Sequence, residues 1–244
     1  MNTTFSWSSR AQVSESKSPL HWICLLLITL FCTTAFTSRA QDSSHPLISK
    51  WLAKQASLQT WSADFTQTRT LKAFAQPLVS DGQVWFAAPN RFRWELGNPP
   101  QTIAVRQPEQ MLVFYPRLKR VEKYPLVGNE MGQWRDALSL LEAGFPRSRQ
   151  ELDEKFRIRS LDERNGAAEI TLEPRAAGAR RMMPQLRIAF AIKDFTLLAT
   201  ELHFADGSIM RNDFRNPVLN QPIDPATFSP SVPPEFKVIE PLKR

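Results

Sequence analysis

The feature of this sequence that most constrains its fold is a two-residue alternation of apolar and polar side chains, which returns in short segments along most of the chain. It first occurs where Trp61, Ala63 and Phe65 alternate with polar neighbours. Each such segment predicts a β-strand with one buried and one solvated face. Turn residues such as Asp81-Gly82 separate the segments at intervals of roughly ten residues, which is typical of antiparallel sheet. The predicted strands cover residues 61–66, 83–86, 91–96, 103–105, 111–115, 156–160, 168–172, 186–192, 198–204 and 209–214.

The segment 198–204 has a regular pattern, with Leu198, Thr200 and Leu202 on the predicted apolar face and His203 on the polar face. The Asp206-Gly207 pair that follows is a strong hairpin signal, because both residue types tolerate the backbone of a tight turn. We therefore expect the strands 198–204 and 209–214 to pair directly.

Two segments predict helices. Residues 45–58 repeat apolar side chains at three- and four-residue spacing, with His45 at the start, and a second helix is predicted near residues 131–143. The Gly- and Arg-rich segment 176–181 predicts a loop. The Pro-rich segment 221–241 predicts an extended tail that follows the body of the fold.

Residues 1–40 predict a secretory signal peptide. Arg10 and Lys17 precede the compact apolar run 22–31, and Ser38-Arg39-Ala40 offers small residues at a cleavage site after Ala40. The alternative is a retained N-terminal anchor. Residues 41–244 would then form one exported domain. Both cysteines, Cys24 and Cys32, lie in the leader, which excludes disulfides, thiolate metal sites and a cysteine nucleophile from that domain.

The chemistry of most enzymes is missing from residues 41–244. The only histidines are His45 and His203, far apart in sequence, and no metal-binding, nucleophile-elbow or phosphate-loop motif is present. We therefore predict no enzymatic activity, no metal and no cofactor. Basic and aromatic residues interleave at Arg91-Phe92-Arg93-Trp94, a pattern that can bind single-stranded nucleic acid. Ordinary strand amphipathicity explains it better, so no nucleic-acid partner is predicted.

Several motifs in this order resemble one family. Trp61-Ser62-Ala63-Asp64-Phe65-Thr66-Gln67-Thr68 contains a Phe-Thr-Gln opening strand, Ser80 to Phe86 a Gly-centred second strand, and Pro89 to Trp94 the pattern Pro-x-x-Phe-x-Trp. The stretch from Asn216 to Val238 resembles the family's closing segment. Over residues 45–240 the chain is similar to the outer-membrane lipoprotein carrier family, usually called LolA.

This resemblance implies a mainly β fold with some α-helix, namely a single-domain unclosed antiparallel β-barrel, or half-barrel, covered by a few helices with a hydrophobic cavity between. It implies a monomeric periplasmic carrier that takes acylated lipoprotein from an inner-membrane ABC-type release complex and passes it to an outer-membrane acceptor. The residues expected to line the acyl-binding cavity are Trp61, Phe65, Phe92, Trp94 and Phe190.

One position departs from the family. Where the family commonly has an arginine that holds the covering helices closed, this chain has Ala88. We expect Arg91 and Arg93 to be mainly solvated, so that the closed state is less favoured here. Two alternatives stay open: a carrier or sensor for another lipid or glycolipid, and an envelope interaction module without cargo. A carrier predicts that Phe92 and Trp94 line an open cavity, whereas an interaction module predicts a filled core.

Overall fold

The computed structural model describes residues 45–126 and 146–241, all within one unit, Gln41–Arg244. The predicted leader, residues 1–40, and the helix predicted near residues 131–143 lie outside the described residues. Within the described ranges, no helix is long and apolar enough to cross a membrane.

The described strands form one twelve-stranded sheet in the order β12-β6-β5-β4-β3-β2-β1-β11-β10-β9-β8-β7. All neighbouring pairs are antiparallel except β12 with β6, and among the described residues β7 and β12 form the two edges. The sheet therefore does not close, which confirms the unclosed, mainly antiparallel fold. The strands are β1 Thr60–Thr70, β2 Leu78–Ala87, β3 Arg91–Leu96, β4 Thr102–Arg106, β5 Gln110–Tyr115, β6 Arg120–Pro125, β7 Phe156–Arg164, β8 Ala167–Pro174, β9 Gln185–Ala191, β10 Leu197–His203, β11 Ile209–Leu219 and β12 Lys237–Ile239.

Helix α1, Pro46–Ala56, confirms the first predicted helix. It begins at His45, whose Nδ1 accepts a hydrogen bond from the Leu47 amide at 3.3 Å, and Pro46 suits the first turn because no amide hydrogen is needed there. The apolar stripe of α1 is buried in the same core cluster as residues of the inner face of the sheet. Burial of that stripe holds α1 on the concave side.

Two shorter helices follow, α2 Arg149–Lys155 and α3 Ala177–Met182. The loop predicted over residues 176–181 is therefore wrong. Alanine favours helix strongly enough to offset the single glycine in this segment. Ala179 is buried, and Nη1 of Arg180 donates to the carbonyl oxygen of Pro174 at 3.0 Å. These tertiary contacts stabilise a helix that the local sequence did not predict.

The alternation predicted in strand β10 needs a second correction. Leu197, not Leu198, faces inward, and Leu198 is exposed on the convex face. A register shift between Leu197 and Ala199 inserts one extra residue, so that Thr200 and Leu202 still point inward. A β-bulge of this kind cannot be read from the parity of side chains alone.

The C-terminal segment is not uniformly extended, contrary to the prediction. It contains a 3-10 turn at Pro225–Phe228 and the short strand β12, which pairs in parallel with β6. Between them, Val232 and Phe236 cover convex-face apolar residues of β4, β5 and β6. The tail thus supplies the second buried face of this half of the sheet.

Candidate functional site

A cavity of about 240 Å³ opens on the concave face of the sheet. Four aromatic side chains, which we call the aromatic wall, contribute to its lining: Trp61, Phe92, Trp94 and Phe214. Aliphatic side chains of β9, β10 and β11 contribute further apolar lining. The described residues that line the cavity are Trp61, Gln67, Val84, Phe92, Trp94, Ala104, Leu186, Leu197, Thr200, Leu202, Met210, Asn212 and Phe214. Phe92 and Trp94 both line this opening. A carrier predicts that these two residues line an open cavity, whereas an interaction module predicts that they lie in a filled core.

The aromatic wall is held by edge and stacking contacts between neighbouring strands. The ring of Phe214 meets Trp61 at a centroid distance of 5.2 Å and an angle of 80°, and meets Trp94 at 6.4 Å and 89°. Phe92 stacks on Trp94 with centroids 6.0 Å apart. Such T-shaped and offset contacts are the favoured geometries of aromatic rings, so contacts between the rings themselves define the shape of the wall.

The other two residues expected at the cavity, Phe65 and Phe190, lie outside its lining. Phe65 is fully buried behind the wall, with its ring centroid 3.9 Å from that of Trp94. Phe190 is fully buried under α1, where it stacks on Trp51 at 5.3 Å and an interplanar angle of 8°. Both support the cavity from behind rather than facing it.

Gly82 makes room for Phe65. The two residues are directly opposite each other in the β1–β2 pair, and a Cβ atom at Gly82 would lie 2.3 Å from Cζ of Phe65. The phenyl ring therefore covers the glycine backbone. This contact explains why the second strand is centred on glycine, since a side chain here would push Phe65 towards Trp94.

A row of polar side chains crosses the cavity floor, and sequence analysis did not identify it. Nε2 of Gln67 donates to Oδ1 of Asn212 at 3.0 Å, and Nδ2 of Asn212 donates to Oγ1 of Thr200 at 3.1 Å. Gln67 and Asn212 are 6% and 4% exposed. We call these three residues the polar rung. One signal was available: Gln67 has the buried parity of Trp61 and Phe65, where an apolar residue is the norm.

Among the residues that the structure describes, none with a charged side chain lines the cavity. Ionic groups instead gather on the convex face of β9, β10 and β11, where the Glu201 carboxylate lies 2.6 Å from Nε2 of His203 and 3.1 Å from Nη1 of Arg211. Burial raises the pKa of Glu201, but the hydrogen bonds to His203 and Arg211 outweigh burial and hold its pKa below the ordinary value. On these three strands the charged groups therefore lie on the face opposite the cavity.

Ala88 lies just after β2 and outside the cavity lining, and its amide donates to the carbonyl oxygen of Gln59 at 2.8 Å. Arg91 and Arg93 have the opposite parity to Phe92 and Trp94. The expectation that Arg93 is solvated is wrong: its side chain is 17% exposed, pairs with Glu95 at 2.6 Å and donates to the carbonyl oxygen of Thr227 at 3.1 Å. The physical reason is that the C-terminal tail covers it.

A sequence profile and two curated relatives point to the same family. The sequence profile described as "Outer membrane lipoprotein carrier protein LolA" matches residues 56–231. An outer-membrane lipoprotein carrier protein of Dechloromonas aromatica (strain RCB) is 24% identical over 181 residues, which cover 74% of this chain and 81% of the relative. One from Bordetella avium (strain 197N) is 22% identical over 216 residues, covering 88% and 94%. An uncharacterized conserved protein from Thermus thermophilus superimposes with a TM-score of 0.47 at 10% identity, over 78% of this chain and 94% of that chain.

Proposed function

Because the chain belongs to the family of the outer-membrane lipoprotein carrier protein LolA, we propose that it is a periplasmic carrier that binds the acyl chains of lipoproteins in its concave cavity and shuttles them from the inner to the outer membrane. The family assignment confirms the resemblance carried by the sequence motifs. The members of this family are carriers, and the two curated relatives bear the same description. Lipoprotein as the cargo, together with a release complex and an acceptor, is the finer part of the proposal.

The observation that carries the proposal is the open, apolar cavity lined by Phe92 and Trp94. A module that only binds protein partners has no use for an apolar space of about 240 Å³ inside its own fold. Hydrocarbon transferred from water into such a space gains roughly 0.8 kcal/mol for each buried methylene. An acyl chain can therefore bind without any charged or catalytic group.

The size of the cavity limits what this form of the protein holds. Drug-sized ligands occupy pockets of roughly 300–1,000 Å³, and the cavity here measures about 240 Å³. It suits part of one acyl chain rather than several complete chains. Loading a lipoprotein with more than one chain would then require the elements over the concave face to move apart.

The test is binding of an environment-sensitive apolar dye and its displacement by an acylated peptide. Phe92→Glu should weaken both by at least about tenfold, because a carboxylate among the apolar side chains of the cavity must be desolvated or neutralised. Phe74→Glu is the matched control, since Phe74 is 58% exposed and outside the cavity. A folded Phe92→Glu variant with wild-type affinity for dye and peptide would contradict the proposal.

Cargo identity is tested by the competitors. An acylated lipopeptide should displace the dye better than a glycolipid with the same acyl chains. The reverse order would favour the other-lipid carrier over lipoprotein transport. Export is tested separately: N-terminal sequencing of the processed protein should begin at Gln41, and a membrane-embedded chain that begins at Met1 would contradict a periplasmic location.

A further inference from the structure

We infer that the polar rung of Gln67, Asn212 and Thr200 is a binding subsite for an uncharged carbonyl group, an acyl ester or amide, of a ligand whose hydrocarbon lies against the aromatic wall. This inference rests on the proposed carrier function and specifies the chemistry of its ligand. Hydrocarbon alone would need no polar group in the cavity, yet three lie side by side in its lining.

The rung is built by strand register. Gln67 on β1 is the direct partner of Asn212 on β11, and Asn212 is the direct partner of Thr200 on β10. The three side chains therefore cross adjacent strands at one level on the concave face. Phe65 and Phe214, two residues along the same strands, form the next level, roughly 7 Å away at the normal rise of a strand. A carbonyl on the rung would place its attached chain beside aromatic rings.

Hydrogen-bonding capacity remains on the rung after its internal bonds are counted. Each amide NH₂ group has two donors, and Gln67 and Asn212 each use one of them within the rung. In the ranges 45–126 and 146–241, no other side-chain partner uses the second donors or the Thr200 hydroxyl hydrogen. Buried polar groups are normally paired. A carbonyl oxygen that enters the apolar cavity could therefore accept a hydrogen bond from these remaining donors.

The charge distribution selects a neutral ligand group. Within residues 45–126 and 146–241, the cavity lining contains no arginine, lysine or histidine side chain. A carboxylate or phosphate on the rung would be desolvated without a counter-charge, which is far more costly than burying a hydrogen-bonded neutral carbonyl. The subsite should therefore prefer acyl esters and amides to free fatty acids.

The experiment measures dye displacement by four ligands with closely similar chains: methyl decanoate, N-methyldecanamide, decanoate at pH 8 and undecane. Gln67→Met and Asn212→Leu keep the size of the side chain and remove its donors. We expect each variant to bind the ester and the amide about fivefold more weakly than wild type, as loss of one net hydrogen bond implies. Affinity for undecane should change less than about twofold by the same reasoning. Gln83→Met is the matched control, because Gln83 bonds Asp64 on the convex face.

A spectroscopic measurement on the wild-type protein avoids dependence on the variants. Methyl decanoate labelled with ¹³C at its carbonyl should show a lowered C=O stretching frequency when bound, as hydrogen bonding weakens that bond. A bound frequency equal to that of the ester in hydrocarbon solvent would overturn the inference. Dioctanoylglycerol and an N-octanoyl dipeptide amide, compared in the same assay, distinguish a glyceride source of the carbonyl from an acylated protein source.

The outcomes separate this inference from the carrier function. Equal weakening of ester and undecane in the Gln67 and Asn212 variants would assign the rung a structural role only and overturn the subsite, while the carrier proposal stands. Binding of decanoate as tight as that of methyl decanoate would also overturn it. Failure of the wild-type protein to bind dye or any of the four ligands would overturn both.

Discussion

Placing one methyl group on Gly82 is the sharpest perturbation of the cavity's support. A Cβ atom there would lie 2.2 Å from the carbonyl oxygen of Glu95 and 2.3 Å from Cζ of Phe65. Neither neighbour can yield easily. The Glu95 carbonyl belongs to β3, which is paired with β2 on one side and β4 on the other. The Phe65 ring is fully buried, with Trp94 3.9 Å away from centroid to centroid.

The sign of the stability change in Gly82→Ala is diagnostic. Gly82 lies within strand β2 and has no positive φ, so without a clash alanine would stabilise the strand by about 0.5–1 kcal/mol. Overpacking a core by such a group costs about 1–3 kcal/mol. We expect a net loss of about 1–2 kcal/mol, because both contacts are far below van der Waals distance. For a domain of this size, that corresponds to a fall in Tm of roughly 2–8 °C.

The assay is thermal unfolding together with apolar dye affinity. Gly82→Ala should lower both, since the displaced Phe65 ring moves the neighbouring Trp94 at the cavity wall. Combining it with Phe65→Leu should recover only part of the loss, because the contact with the Glu95 carbonyl remains. Gly207→Ala is the control for lost stability as such: it strains a backbone with φ of 85° but meets no atom within 4 Å, so dye affinity should not change.

A Gly82→Ala variant with an unchanged or higher Tm and wild-type dye affinity would refute this reasoning. Strand β2 would then have room for a methyl group at Gly82 despite the short distances to Phe65 and Glu95. Full recovery in the double variant would be equally informative, because it would assign the entire clash to the phenyl ring and none to the backbone of β3.

Three further predictions concern the convex side and the departure from the family. Ala88→Arg should raise the Tm of the empty protein and weaken dye affinity, because closure competes with loading; unchanged values, or tighter dye binding, would show that the family's latch does not transfer. Arg93→Met should lower the free energy of unfolding by about 1.5–3 kcal/mol, because Arg93 donates a hydrogen bond to the carbonyl oxygen of Thr227 in the tail. It should also speed proteolysis of residues 221–241, with Arg69→Met, at an exposed position, as the control. Equal cleavage rates in the two variants would contradict the proposed role of Arg93 in holding the tail. For Glu201, whose folded pKa is lowered from 4.5, stabilisation is present above that value and lost as pH falls through the folded pKa. The stability difference between wild type and Glu201→Gln, measured by denaturant titration, should therefore shrink below about pH 4.5, and a difference that grows on acidification would refute the sign.

Much of the sheet could be predicted because its signals are local. The alternation around Trp61 and Phe65 determines which side chains share a face, and Asp206-Gly207 determines a turn, each within a few residues. The same parity placed Phe92 and Trp94 together and opposite to Arg91 and Arg93. Parity fails where one residue is inserted, as at the β10 bulge that turns Leu198 outward, since nothing in the local pattern marks the extra residue.

The cavity residues were predicted less completely than the strands. Trp61, Phe92 and Trp94 face the cavity, whereas Phe65 and Phe190 lie behind it. All five have inward parity, but depth depends on what covers each position. Trp51 of α1 covers Phe190, whereas none of the described residues fills the space in front of Phe92. That difference comes from packing between distant segments.

The sequence by itself determined the strand-rich fold, its turns and the face on which each side chain lies, because these follow from the geometry of a few consecutive residues. The tertiary structure alone decided that Gln67, Asn212 and Thr200 meet in one row, although 145 residues separate the first two. It also decided that the tail buries Arg93 and adds a parallel edge strand. Register between strands that are far apart in sequence sets these contacts, and no local pattern of residues contains that register.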